Sequence, residues 1–233
     1  MKQVSANRAI LILESPWELD EADSNRTSVL PFIEGVAKLA GNTEVYHANF
    51  YDSKSFEQAL DCLCKRKFIN TTVYIAAHGY KTKIGKSNLG KLIYLIGERS
   101  KEFNITGLML GSCFVGENTP TMEVYLEGTN IKWCAGYAST SYWLEGTLID
   151  CAIIANMSEL DRDTEFTDRD LLIDAFARSI SPFSKGFHIG DDYKDNPVRL
   201  EDSLTFVVQP SGKGFRAKTV TAEVFERYSD YQV

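Results

Sequence analysis

The sequence lacks any apolar run near the roughly 18 residues that a membrane-spanning helix needs, and it lacks a long Lys/Arg run. Gly85, Gly90 and Gly97 fall into neither a GxGxxG nor a Walker spacing, which argues against a nucleotide site. Met1 leads into Lys2-Gln3-Val4-Ser5-Ala6-Asn7 rather than the basic-then-apolar order of a secretory leader. A cytoplasmic protein with no membrane partner is the expectation. With 25 basic against 32 acidic residues the net charge is −7, a poor match to a phosphate backbone, so no nucleic-acid partner is expected. Histidine is scarce, with three residues, and the five cysteines have no zinc-type spacing. No metal or other cofactor is expected, and an odd thiol count leaves at least one cysteine free.

What is present is an ordinary globular composition, 44% hydrophobic and 24% charged, against disorder, collagen or coiled coil. A length of 233 residues suits one domain, 1–233, with a catalytic core over about 8–155 and a C-terminal extension of that core over about 156–233. Short apolar runs alternate with helical patterns. Strands are read at Ala9–Leu13, Thr43–Phe50, Thr71–Ala77, Ile105–Leu110 and Ile131–Tyr137. Helices are read from capping residues Asn25–Thr27 to Leu39, from Asp52-Ser53 past Leu63, and over Asn88–Phe103, Pro120–Leu126, Leu144–Met157 and Asp170–Ile180. A late hairpin is expected from Leu204–Val208 and Phe215–Val220, turning at Pro210–Gly214. The fold class is α/β, a three-layer α/β/α sandwich with a mostly parallel sheet and a late antiparallel edge hairpin.

In open parallel sheets, ligands bind outside the carboxyl ends of the strands. His78 follows the third strand and Cys113 the fourth. A thiol and an imidazole brought together form the minimal nucleophile and base pair, and an imidazolium lowers the thiol pKa. Gly79 lets a peptide N–H turn inward, and the Cys113 amide supplies a second donor, together an oxyanion hole. Each residue alone reads more readily as structural, since a buried cysteine usually serves as a small hydrophobe; their joint placement raises the functional reading.

The run Val73-Tyr74-Ile75-Ala76-Ala77-His78-Gly79, followed by Leu108-Met109-Leu110-Gly111-Ser112-Cys113-Phe114-Val115-Gly116, resembles the caspase-like cysteine peptidases, the group that takes in caspases, metacaspases, gingipains, legumains, separases and CHAT domains. Nearest is the metacaspase-type Asp-Ser-Cys-x-x-Gly run, with Gly111 in place of its aspartate. The resemblance spans about residues 8–155 in element order and implies a thiol protease with a Cys-His dyad. Cys113 would be the nucleophile, His78 the general acid/base, and Gly79 and Cys113 the oxyanion donors. The substrate would be a protein or peptide, and an activating protein partner is a further expectation.

Caspases read aspartate through, among others, a Gln two residues before the nucleophile and an arginine near the first strand end. Here Gly111 stands at the former, and the loop Glu14-Ser15-Pro16-Trp17-Glu18-Leu19-Asp20-Glu21 has no arginine. Acidic residues at the rim, Glu14, Glu117 and Glu145, suggest a basic residue before the scissile bond; the bland reading is a solvated acidic face. Tyr137 and Ser139 are further candidates for substrate contact, and Trp133, Tyr142 and Trp143 either wall a cleft or simply pack.

The remaining features carry less. His47 and His188 read as structural or exposed, and Cys134 and Cys151 as core. Cys62 and Cys64 fall on different helix faces, which argues against a redox pair. Lys81–Lys86 is an activation or substrate loop, or a solvated excursion. Glu159–Thr167, with Arg162 inside it and Arg169 nearby, is a conceivable processing site. Two other classes stay open: a catalytically silent interaction module on the same fold, and a flavodoxin-like or receiver-like binding domain, which the first strand end fits poorly.

Overall fold

Continuous apolar runs became the central strands, because a strand covered by helices on both faces has no polar side to show. In the computed structural model, which describes residues 7–16, 27–160 and 164–231, β1 is Arg8–Glu14, α1 Leu30–Ala40, β2 Thr43–Asn49, α2 Ser53–Leu63 and β3 Asn70–Ala76. Three two-residue strands follow, β4 Gly79–Tyr80, β5 Lys83–Ile84 and β6 Ser87–Asn88, and they form a small antiparallel sheet of their own. Then come α3 Leu89–Phe103, β7 Ile105–Gly111, α4 Thr119–Leu126, β8 Trp133–Tyr137, α5 Trp143–Ser158 and α6 Arg169–Ile180. The chain closes with β9 His188–Asp191, β10 Pro197–Arg199, α7 Leu200–Ser203, β11 Leu204–Val208, β12 Lys218–Thr219 and α8 Thr221–Tyr228.

The main sheet has seven strands in the order β12-β11-β8-β7-β3-β1-β2. β2, β1, β3, β7 and β8 run parallel, while β11 is antiparallel to β8 and β12 to β11. This is a mixed α/β architecture with a mostly parallel sheet flanked by helices. Alternation along the strands sends Ile10, Ile12, Tyr74, Met109 and Phe206 to one face, against α1, α5, α6 and α8. Leu11, Leu13, Val73, Ile75 and Leu108 go to the other, against α2, α3 and α4. Each such Ile or Leu contributes about 1.5–3 kcal/mol by leaving water. No helix among the described residues is long and apolar enough to cross a membrane.

Local signals explain several boundaries. Asp52 caps α2 in a reciprocal capping box with Ser55, and the Asn88 side chain accepts from Lys91 N–H at the start of α3. Gly41 ends α1 with φ +63°. α1 begins later than the expected Asn25–Thr27 cap, of which Asn25 and Arg26 lie outside the described residues. Its cap is supplied at a distance: Glu14 Oε1 accepts from Val29 N–H at 3.0 Å, and Pro31 falls in the first turn where no N–H is needed. The late antiparallel edge exists, but its second strand is only Lys218–Thr219, shorter than the expected Phe215–Val220. Arg162 lies outside the described residues. Arg169 does not lie in an open loop; it begins α6 and pairs with Glu223 at 2.6 Å.

Candidate active site

β3 and β7 are direct neighbours, paired in parallel with Ala76 opposite Gly111. Continuing both chains by two residues reaches His78 and Cys113, so the two candidates leave the sheet side by side. Gly79 then packs on the loop that carries Cys113: a Cβ there would collide with the Cys113 carbonyl oxygen and lie 2.9 Å from Cys113 N. Only glycine permits this approach. Gly85 N–H donates to His78 O at 2.7 Å, which makes His78 and Gly85 a hydrogen-bonded pair. Gly79, opposite Ile84, therefore holds the non-hydrogen-bonded position, and its N–H points away from β5.

The Cys113 side chain is half-buried and His78 is exposed. Burial pushes the Cys113 thiol up from its ordinary value, against the pull of the Ser141 amide and the amide of Cys113 itself, which both lower it. This corrects the expectation of a thiol held low by an imidazolium: at rest, desolvation wins. All five cysteines are free. Burial raises the Cys64 thiol to about 11 and the Cys151 thiol to about 12. Among the described residues, no group of three or more His, Cys, Asp or Glu side chains could hold a metal ion.

Ser141 reaches the sulfur because the segment after β8 is fixed from its other edge. Thr140 N–H donates to Asp191 O at 3.0 Å and Tyr142 N–H to Ile189 O at 2.8 Å. Residues 140 and 142 thus face β9, and the alternation of an extended chain turns the Ser141 amide toward the cleft. Phe114, in a left-handed conformation at φ +62°, donates its N–H to Ser139 O at 2.9 Å. Its ring stacks on Tyr193 with centroids 4.1 Å apart, and Tyr80 packs edge-on against both.

Beside Cys113 lies a narrow cavity of about 20 Å³, room for about one water. Its walls include Val29, Ala76, Trp143 and Thr147, and Asp150 of α5 faces it. Asp150 is 2% exposed. Tyr74 O–H donates to Asp150 Oδ2 and Tyr137 O–H to Oδ1, each at 2.7 Å. Burial pushes the Asp150 carboxyl up to about 7, although both hydroxyls pull it down. Two residues lining the same cavity carry buried polar atoms without a partner among the described residues, Ser112 Oγ and Trp143 Nε1.

Of the expected substrate residues, Tyr137 joins this site, through Asp150. The others do not line the cavity. Glu14 is buried at the end of β1, where it accepts from Ser28 Oγ at 2.8 Å and Val29 N–H and lies 2.9 Å from His47 Nε2; its carboxylate holds α1 and the edge strand. Ser139 is buried with its hydroxyl 2.6 Å from Ser203 Oγ. Glu117 is exposed and accepts from Tyr193 O–H at 2.6 Å, and Glu145 sits in the first turn of α5. Asp150 was missed because it lies in an apolar helix read as core. A lone carboxylate on the inward face of such a helix was the available signal, since an unpaired buried charge is rarely kept without use.

No protein-family model matches the chain, and no curated protein matches it.

Proposed function

We propose that this chain is a caspase-like cysteine endopeptidase acting on protein or peptide substrates after a basic residue, with Cys113 as nucleophile and His78 as general acid/base. The observation that carries the reading is the pairing of Ala76 with Gly111, which continues to His78 and Cys113 beside a Gly79 amide turned away from its own ladder. His78 takes the Sγ proton as the sulfur attacks the scissile carbonyl, whose π electrons move to oxygen. The amides of Gly79 and Cys113 stabilise that oxyanion. The C–N bond then breaks as His78 returns the proton to the departing amine, leaving a thioester on Cys113. Water, deprotonated by His78, attacks the thioester and releases the new carboxylate and the thiol.

Asp150 supports the basic preference: it is a buried carboxylate facing the cavity next to the nucleophile, and none of the forces on it comes from a cation. The raised thiol and the water-sized cavity support a resting state that a protein partner or processing would activate. The same two features favour a second reading, a catalytically silent interaction module. Treatment with iodoacetamide at neutral pH, read by mass spectrometry, tests the first against the second. Selective alkylation of Cys113 over the other four thiols is expected of the peptidase, and alkylation spread by exposure alone, with Cys62 foremost, would overturn it. Cleavage profiling on a peptide library tests the specificity; a dominant aspartate before the scissile bond would sink the basic preference.

A further inference from the structure

We propose that the cavity at Asp150 reads a lysine immediately before the scissile bond and takes its ammonium group in preference to the guanidinium of arginine. This rests on the peptidase reading of Cys113 and names the side chain that site accepts.

Size is the first argument. At about 20 Å³ the space next to Asp150 holds about one water. An ammonium is a compact tetrahedral head of about that size, whereas a guanidinium is a planar fork carrying three nitrogens. The tightness is built in, because Asp150 fills the region vacant at Gly111: a Cβ on residue 111 would lie 2.7 Å from Asp150 Oδ2 and 2.7 Å from the Tyr74 ring.

The second argument is the arrangement of acceptors. Arginine recognises a carboxylate best through two parallel bonds, one to each oxygen. In Asp150 each oxygen already accepts a tyrosine hydroxyl, so that fork meets occupied positions. A carboxylate nevertheless has about four lone-pair sites, and the two tyrosine oxygens, having donated, can still accept. Ser112 Oγ is buried and unpartnered. Single acceptors spread around a point are what the three N–H groups of an ammonium use.

The third argument is charge. Buried carboxylates are ordinarily paired, and among the described residues no cation pairs with Asp150. A lysine head entering this space beside Cys113 supplies that missing charge.

The test uses two peptidyl chloromethyl ketones identical except for Lys or Arg at the residue bearing the ketone, with alkylation of Cys113 followed by intact mass. The lysine probe should react at least about tenfold faster. Asp150→Asn should slow that probe by about a hundredfold, while iodoacetamide still alkylates Cys113, which reports the nucleophile intact. Equal rates for the two probes, a faster arginine probe, or an Asp150→Asn rate unchanged with the lysine probe would each overturn the proposal and leave the peptidase reading standing. The wild-type ratio needs no variant to fold. Inert probes together with unselective iodoacetamide labelling would sink the peptidase reading and this inference with it.

Discussion

Gly111 and Asp150 compete for one volume: a Cβ on the first would lie 2.7 Å from a carboxylate oxygen of the second. The carboxylate reaches this space from α5, and residue 111 at the end of β7 has no side chain to dispute it.

This relationship makes a substitution at position 111 costly. Gly111→Ala should destabilise by about 1–3 kcal/mol through overpacking and should slow cleavage after lysine, both visible in denaturant unfolding and peptide assays. Gly111→Asp should do more damage, since it sets two carboxylates together. Combining Gly111→Asp with Asp150→Gly should recover part of the stability; no recovery would show that the two residues do not share space.

The pH dependence follows from the Asp150 carboxyl at about 7. A substrate ammonium favours the ionised form, so KM for a lysine substrate should fall as pH rises through about 7. For stability the sign is the opposite. The ordinary value is 3.8 and the folded value about 7, so the native state binds more protons between them. That contribution is complete below the lower value and is lost as pH climbs through the upper one. Its size is on the order of a few kcal/mol. Asp150→Asn should therefore gain stability relative to wild type between pH 5 and 8 while losing lysine cleavage. Parallel pH profiles for the two proteins would contradict this account.

Cys113→Ala and His78→Ala should each lower cleavage by about three orders of magnitude or more. Neither should perturb the fold, because one side chain is half-buried at the sheet edge and the other exposed. Circular dichroism and thermal unfolding check the second half of the statement. Residual turnover near wild type in either variant would remove the dyad.

Tyr193 holds the loop that follows Cys113. Its ring covers Phe114, a non-glycine residue at positive φ, and its hydroxyl reaches Glu117. Tyr193→Ala should reduce kcat by about tenfold through misplacement of Cys113, with little loss of stability because the ring is 46% exposed. Tyr193→Phe keeps the stack and should retain most activity. If Ala and Phe variants behave alike, the stacking has no part in positioning the thiol.

The parts of the fold that could be read from sequence are those with a period or a cap. β1, β3 and β7 declare themselves as uninterrupted apolar runs, and α2 and α3 by Asp52 and Asn88. The small sheet over 79–88 did not, since two-residue strands carry no alternation, and β9–β10 is held by backbone bonds to Thr140 and Tyr142 that no side-chain pattern encodes. The expected neighbours His78 and Cys113 needed only strand ends and adjacency. Glu14 was misjudged for the opposite reason: its partners Ser28, Val29 and His47 come from other elements. A carboxylate at a strand end looks the same in sequence whether it meets a ligand or a helix N-terminus.

The antiparallel strand β11 has a consequence for when activity can arise. Dyad, cavity and Asp150 are all encoded before residue 151, yet Thr205 Oγ1 bonds to Gly116 O at 3.0 Å and to Gly136 O at 3.1 Å, and Ser203 O accepts from Ala138 N–H at 2.7 Å. A growing polypeptide thus carries every reactive group long before it holds them in place. Chains truncated at residue 203 should be inert, and a truncation series that cleaved substrate would refute this. Strand β11 thus acts as a late clasp, closing from the far side of β8 a site whose reactive groups all precede it in the chain.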